Sequence, residues 1–209
     1  MKKVKFIVFI CLFILLPLAY FNGLIRISDL TSEQESIAKK YGGVYVFDEK
    51  LEKEIDKREE ERDKYLDDFF KNNNRDFDLN DQTIMNEKLP RVLSNGKKYY
   101  SRRDNIKIDN YKILNNYEEK LKEFMGKDYD KYENYLSINL GYFYIDNDTI
   151  VPISIGVSTL YTEVTFGLYG DEASGIKFTK ESTQRLIGDN KFYLADNKFQ
   201  KISNKDKDK

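Results

Sequence analysis

Histidine is absent from this chain of 209 residues, and cysteine occurs once, as Cys11, within an apolar segment near the N-terminus. These absences exclude Ser-His and Cys-His nucleophilic catalysis, together with zinc sites built from histidine and cysteine. The part of the chain after the apolar segment cannot form a disulfide within itself, so packing must stabilise it. Its large buried area is expected to come from aromatic side chains, because the chain contains 14 Phe and 16 Tyr.

Acidic residues are absent from the first 28 positions, and residues 6–25 carry no charge. A helix of these 20 residues would be about 30 Å long, which is the thickness of the hydrocarbon core of a bilayer. Three lysines precede the apolar run and Arg26 alone follows it closely, so the positive-inside rule places the N-terminus in the cytoplasm. The sequence therefore predicts that residues 4–25 cross the cytoplasmic (inner) membrane once and that the C-terminus lies outside.

A cleaved signal peptide is the alternative interpretation of the same segment. Signal peptidase requires small side chains one and three residues before the cut, and Ala19 with Pro17 is the best available pair. Because proline is a poor residue at such a site, residues 1–25 are predicted to be a signal-anchor, with export after cleavage as the alternative.

The charge pattern gives no indication of nucleic-acid binding. All 36 acidic residues follow the apolar segment, together with all but three of the 35 basic residues, which leaves that part with a net charge of about −4. Basic residues are interspersed with acidic ones and form no continuous stripe. A protein partner is therefore predicted, and nucleic acid is not.

Residues 26–85 are predicted to form a helical stalk or a set of N-terminal helices. Ser32 with Glu35 resembles a capping box, and the glycines at 42–43 would end that helix. A longer helix is predicted over residues 49–71, where acid–base pairs recur at i, i+4 spacing. Its middle turns carry only charges, so its centre is expected to remain in solvent.

Residues 86–203 are predicted to form an α+β domain, followed by a solvated tail at 204–209. Asn95-Gly96 marks a hairpin, and a second amphipathic helix is expected before Gly126. Beyond residue 135, apolar side chains alternate with a period of two in three runs, which predicts three antiparallel strands. The predicted fold class is therefore α+β: an N-terminal transmembrane or signal helix, two amphipathic or charged helices, and a mainly antiparallel β-meander.

Paired carboxylates are the catalytic device that this composition still permits. Asp146 and Asp148 flank a predicted turn, and Asp171 and Glu172 follow the longest predicted strand. These four acidic residues are the candidates for an acidic loop, with a plain solvated turn as the more ordinary interpretation. No catalytic residue, cofactor or metal is assigned.

Two classes of function follow from these observations. The first is a membrane-anchored, extracytoplasmic, non-catalytic protein-binding domain, for example an immunity protein that neutralises a delivered toxin. Tyrosine is enriched in protein interfaces, and Tyr142, Tyr144, Tyr161 and Tyr169 are the predicted partner surface. The alternatives are a carboxylate-dependent hydrolase of envelope polysaccharide, or an accessory subunit of a membrane assembly that binds through the helix at 49–71.

Overall fold

The computed structural model describes residues 2–21, 25–104, 106–108, 112–113, 116–170 and 175–201. The described helices are α1 (Lys2–Ile10), α2 (Leu16–Phe21), α3 (Ser32–Tyr41), α4 (Glu49–Asn72), α5 (Leu79–Lys88), α6 (Asn116–Met125) and α7 (Lys127–Tyr132). The described strands are β1 (Ile25–Ser28), β2 (Gly43–Val46), β3 (Tyr99–Ser101), β4 (Lys112–Ile113), β5 (Leu136–Leu140), β6 (Tyr142–Asp146), β7 (Thr149–Pro152), β8 (Ser154–Tyr169), β9 (Lys177–Ile187), β10 (Asn190–Ala195) and β11 (Lys198–Lys201). The α+β class, with helices before most of the sheet, is confirmed.

The apolar segment is helical, but it is divided into short pieces. A five-residue π-helical turn, Cys11–Leu15, separates α1 from α2. Within the described residues, no helix combines the length and the apolar character needed to cross a bilayer. The segment predicted as a single helix thus consists of three consecutive helical pieces, because the wider turn at Cys11–Leu15 interrupts the regular hydrogen-bond ladder.

Local capping signals determine where α3 and α4 begin. Thr31 caps α3, and its side chain and that of Gln34 bond each other's backbone in a capping box one residue before the predicted one. Asp48 caps α4 by accepting a hydrogen bond from the Leu51 amide. The predicted helix at 49–71 is thus confirmed, and all three i, i+4 pairs expected on it form ion pairs.

The strands form two mixed sheets instead of the predicted β-meander. In the seven-stranded sheet, β8 pairs with β2 and then β9 along one edge, and with β5 and then β1 along the other. Strand β2 also pairs with β10 in parallel, and β4 pairs with β7 in parallel in the four-stranded sheet. The meander is wrong because the early segment that contains β2 lies between two late strands, a long-range pairing that alternation cannot reveal.

The predicted strand boundaries also change between residues 135 and 169. The first apolar run divides at Gly141, so that β5 belongs to the large sheet and β6 to the small one. The second and third runs join in the single 16-residue strand β8, because no turn residue interrupts the alternation between them. The predicted turn at Asp146–Asp148 does connect β6 and β7, and the two residues Asn147 and Asp148 have φ values of 46° and 59°.

Two apolar clusters form the core of the described structure. The larger cluster packs α3, α6 and α7 on the large sheet through aromatic rings, among them Tyr45, Phe192 and Phe199. The smaller cluster packs Leu51 and Ile55 of α4 against Tyr99 of the small sheet. Because α4 follows β2 directly and packs on the small sheet, it places that sheet beside the large one.

Helix α5 follows α4 after a short connection and begins at Leu79. Asp78 caps it, and Arg75 bonds both carboxylate oxygens of Asp81, at 2.6 and 2.8 Å. These hydrogen bonds outweigh the effect of desolvation and lower the pKa of Asp81 to about 2. A salt bridge thus stabilises the first turn of this helix.

The Arg75–Asp81 pair makes the stability of this region sensitive to acid. The folded pKa of Asp81 lies below its ordinary value of 3.8, so the contribution is present above pH 4 and is lost as the pH falls through about 2. We expect Asp81→Asn to be less stable than the native chain at pH 6, with the difference shrinking toward zero near pH 2. Urea denaturation across this range measures it. The exposed control Asp67→Asn should show no such convergence, and a constant difference for Asp81→Asn would contradict the prediction.

Candidate arginine cleft

A cleft of about 670 Å³ opens between the large sheet, helix α4 and the segment that follows β3. This volume is within the usual range for ligand-binding sites. We call it the arginine cleft, because its walls carry Arg91, Arg102, Arg103 and Arg185. It lies where the two sheets meet, so its shape depends on the tertiary structure.

The floor of the arginine cleft consists of small residues on alternate positions of β8. Ser154, Gly156 and Ser158 line it because side chains on one face of a strand recur every two residues. Gly156 lies opposite Val44 of β2 and Asn139 of β5, and both of these also line the cleft. A Cβ atom built on Gly156 would meet no atom within 4 Å. Glycine therefore leaves open space at this point of the cleft lining.

A buried ion pair closes one end of the arginine cleft. Lys191 of β10 lies 2.6 Å from Glu52 of α4, and the Tyr193 hydroxyl donates to the same carboxylate at 3.2 Å. Burial alone would lower the pKa of Lys191, but its hydrogen bonds with Glu52 and Tyr193 outweigh burial and raise that pKa. Glu52 thus accepts from both Lys191 and Tyr193, and the pair has little capacity left for a ligand.

A second polar network forms the wall nearest α4. Arg91 binds both carboxylate oxygens of Glu59 at 3.0 Å and reaches Asp104 at 2.9 Å. The buried Tyr99 hydroxyl donates to Glu59 at 2.6 Å. Burial lowers the pKa of Arg91, and the hydrogen bond and charge of Glu59 more than compensate, so the pKa is raised. Arg91 and Asp104 also line a neighbouring cavity of about 530 Å³, and they form the partition between the two spaces.

The buried Arg62 supports this wall from the middle of α4. It donates to the Leu89 carbonyl at 2.6 Å and to the Asn86 side chain at 2.8 Å. Desolvation and the nearby Arg91 lower the pKa of Arg62. The centre of α4, which was expected to remain in solvent, is therefore attached through charged groups.

Three guanidinium groups in the cleft remain available to a ligand. Arg102 and Arg103 follow β3, Arg185 projects from β9, and all three are exposed. Within the described part of the chain, none of their guanidinium groups forms an ion pair or a hydrogen bond. Exposed Ile187 and Val44 lie beside them in the cleft lining. The cleft thus offers both cationic and apolar contacts.

The four tyrosines predicted as a partner surface lie in two different sheets. Tyr142 and Tyr144 are on β6 of the small sheet, where burial raises the pKa of each and they pack against the cluster around Tyr99. Tyr142 also lines the arginine cleft. Tyr161 and Tyr169 lie on β8, opposite Gln184 and Lys177 of β9. The structure therefore brings one of the four into the cleft and does not collect them into one surface.

Two of the four acidic candidates, Asp146 and Asp148, lie at the turn between β6 and β7. The Asp146 carboxylate pairs with Lys97 at 2.6 Å, and the Asp148 carbonyl accepts a hydrogen bond from the Lys112 amide. Asp171 and Glu172 lie outside the described residues. Among the residues that are described, no group of three or more Cys, Asp or Glu side chains is arranged to bind a metal ion.

The arginine cleft was not predicted from the sequence. The adjacent pair Arg102-Arg103 was the sequence feature that could have indicated it. The chain contains 35 Lys and Arg residues, however, and the sequence does not distinguish this pair from the others. Comparison with known proteins gives no further guide, because no family model, curated protein or solved structure matches this chain.

Proposed function

We propose that this chain is a non-catalytic binding protein held at the outer side of the cytoplasmic membrane, and that its arginine cleft binds an acidic region of a protein partner. The observation that carries the proposal is the set of three exposed guanidinium groups above a floor of small residues. Arginine is well suited to bind carboxylates because its planar fork donates two parallel hydrogen bonds.

The charge balance inside the cleft supports an acidic ligand of low charge density. The cleft lining contains five basic and three acidic residues, which gives a net charge of +2. Arg91 and Lys191 pair with the acidic residues Glu52, Glu59 and Asp104, so the excess positive charge lies on Arg102, Arg103 and Arg185. Three buried or half-buried carboxylates close to the floor would repel a densely charged polyanion. Separate acidic side chains of a protein, accompanied by apolar ones that contact Ile187 and Val44, fit this arrangement better.

The state of the cleft carboxylates favours binding over hydrolysis. A glycoside hydrolase needs one carboxyl group as a general acid and a second as a base or nucleophile. Each of the three carboxylates in the cleft is instead bound to arginine or lysine, and Glu59 also accepts from Tyr99. The binding proposal uses these groups as supports that hold Arg91 and Lys191 in place.

The membrane location and the type of partner are parts of the same proposal. The N-terminal apolar segment attaches the chain to the membrane or exports it, and the folded part then meets proteins of the envelope. A toxin that is delivered to that compartment and carries an acidic surface is one partner that the arginine cleft would suit, and the chain would then be its immunity protein.

Capture of partners from the native envelope, compared across variants, tests the proposal. Full-length protein with a C-terminal tag is cross-linked in cells of the source organism, and bound proteins are identified by mass spectrometry. Replacing Arg102 and Arg185 by alanine removes one guanidinium from each wall, and a charge-assisted hydrogen bond contributes about 1.5–3 kcal/mol. We expect the double variant to bind the partner about 100-fold more weakly.

Gly156→Phe is an independent test. A Cβ atom built on Gly156 meets no atom within 4 Å, so the phenylalanine ring would occupy the open space of the cleft. The matched control is Lys64→Ala with Lys71→Ala, which removes two exposed charges from α4. The control should retain the partner that the cleft variants lose. A partner captured equally by all four proteins, each with native circular dichroism, would reject the cleft as the binding site.

A further inference from the structure

We propose that the free side of β9 receives an extended acidic segment of the protein partner as an added strand. The site is the side of residues 179–187 that faces away from β8, which we call the open β9 edge. This inference rests on the proposed function, because the segment belongs to the acidic region that the arginine cleft binds. It adds the backbone conformation of that region and the hydrogen bonds that hold it.

The hydrogen bonds of β8 determine which way the backbone groups of β9 point. The Thr162 carbonyl accepts from the Asp29 amide and the Thr162 amide donates to the Asp29 side chain, so both groups point toward β1. Alternate residues of a strand bond in opposite directions, so Glu163 points toward β9, where its carbonyl accepts from the Ser182 side chain. Glu163 lies opposite Ser182. The backbone groups of Thr183, and of every second residue from it, therefore point away from β8.

The open β9 edge is long and regular. Within the described ranges β9 pairs with β8, and no strand pairs with its other side. The register is continuous from the pair Ser158–Ile187 to the pair Phe166–Thr179, and the bulge lies beyond it. The edge contains no proline, and the side chains on its outward-bonding positions are exposed: Thr179, Glu181, Thr183, Arg185 and Ile187. Such an edge is a template for another strand.

The open β9 edge borders the arginine cleft. Ile187 lies opposite Ser158, and both residues line the cleft. Arg185 is two positions from Ile187, so its side chain lies on the same face of the sheet and also lines the cleft. Both residues belong to the set whose backbone groups point away from β8. A strand added here would therefore place one of its side chains directly opposite Arg185, at the border of the cleft.

The charge of β9 favours an acidic segment as the added strand. Strand β9 contains three basic residues, Lys177, Lys180 and Arg185, and the acidic residue Glu181, so its net charge is +2. Opposite charges directly across a strand pair are stabilising, whereas like charges are destabilising. A second copy of β9 would bring the same net positive charge. A partner segment with acidic residues opposite Arg185 and Lys180 fits better.

A synthetic peptide that matches residues 179–187 in length is the probe. Paired antiparallel to β9, it carries valine opposite Ile187, glutamate opposite Arg185 and Lys180, and threonine elsewhere. Its ends are blocked, and it carries a fluorescein label. Fluorescence anisotropy measures its binding to the full-length protein in detergent.

Methylation of the peptide backbone separates strand addition from binding through side chains alone. N-methyl groups on the peptide residues opposite Thr183 and Arg185 remove two donors to β9 and obstruct the approach of the strands. In the matched control peptide, the methyl groups are on the residues opposite Ser182 and Gln184, whose N–H groups point away from β9. We expect the first peptide to bind about 10–100-fold more weakly than the unmodified one, and the control peptide to bind as the unmodified one does.

Thr183→Pro tests the same hydrogen bonds from the side of the protein. The Thr183 amide points away from β8, so proline removes no bond between β8 and β9 and is tolerated on an edge strand. We expect this variant to bind the peptide about 10-fold more weakly. The control is Ser28→Pro on β1: Ser28 lies opposite Glu163, so its amide also points away from β8, at the other edge of the sheet. It should bind the peptide normally.

The remaining outcomes distinguish this inference from the proposed function. If Arg185→Ala weakens binding but methylation and Thr183→Pro do not, the peptide binds through side chains alone, and strand addition is rejected while the proposed function stands. Absence of binding by every peptide also rejects strand addition, and capture of the cellular partner by the cleft variants still tests the proposed function. If Thr183→Pro converts a dimer into a monomer during sedimentation without peptide, a second copy occupies the edge and the inference is wrong.

Discussion

Replacing Phe192 by alanine should lower the free energy of unfolding by about 3–5 kcal/mol, the range typical of removing a buried aromatic ring. Phe192 lies on β10 opposite Tyr45 of β2, and their rings stack with 4.5 Å between centroids. The ring of Phe124 on α6 contacts Phe192 at 5.2 Å, and both Tyr45 and Phe192 are almost fully buried. The substitution would leave a cavity where the parallel strand pair and a covering helix meet.

Urea denaturation monitored by circular dichroism measures this effect. Phe70→Ala is the matched control, because Phe70 is 55% exposed and contacts only Phe69 and Phe77 among the aromatic rings described. The control should cost less than about 1 kcal/mol. Similar losses for the two variants would contradict the placement of Phe192 at the centre of the core.

Replacing Glu59 by alanine should cost about 3 kcal/mol, although it removes no apolar contact. Removing one partner of a buried ion pair typically costs about 3–5 kcal/mol, and the lower value applies here because the Glu59 and Arg91 side chains are 23% and 26% exposed. The variant leaves Arg91 with Asp104 alone and deprives the buried Tyr99 hydroxyl of its acceptor. The attachment of α4 to the segment before β3 should weaken most.

Glu60→Ala is the control for this prediction, since Glu60 is the next residue of the same helix. It pairs with Lys64 at the surface, where both side chains are about two-thirds exposed (65% and 69%), and such pairs contribute about 0–1 kcal/mol. Hydrogen exchange should show faster opening around Arg91 and Tyr99 in Glu59→Ala and no change in Glu60→Ala. Equal stability of the two variants would mean that the network does not hold α4 in place.

The Glu59 network also connects stability with the proposed function. Arg91 forms part of the wall of the arginine cleft, and Glu59 and Asp104 hold it from two sides. Glu59→Ala should therefore weaken partner binding even under conditions where the chain remains folded. Glu59→Gln keeps an acceptor for Tyr99 and is expected to show a smaller loss of both stability and binding.

The middle of α4 was correctly predicted to be helical, but the exposure of its charged side chains was predicted wrongly. The helix and its i, i+4 ion pairs were predicted from the sequence and are confirmed. The charged residues of its central turns were interpreted as solvated, yet Arg62 is 5% exposed and bonds Leu89 and Asn86. A charged residue can be buried when a distant segment supplies its hydrogen bonds, and helical periodicity gives no information about that segment.

The secondary-structure elements that depend on interactions between residues close in sequence could be predicted from the sequence. Asp48 caps α4 through its own side chain, and the turns at Asn147-Asp148 and Asp196-Asn197 use residues that tolerate positive φ. The sequence by itself therefore determined the α+β class, the long helix and the turn at Asp146–Asp148. The membrane location, the domain limits and the protein-binding function remain predictions.

Only the tertiary structure decided which elements meet. Gly43 of β2 pairs with Asn190 of β10 in parallel, and with Val157 of β8 on the other side. The arginine cleft likewise joins residues from β8, α4, β9 and the segment after β3. Several strands of similar composition could have paired in these places. The choice among them depends on the combined burial and hydrogen bonding of segments more than 100 residues apart, which no local pattern encodes.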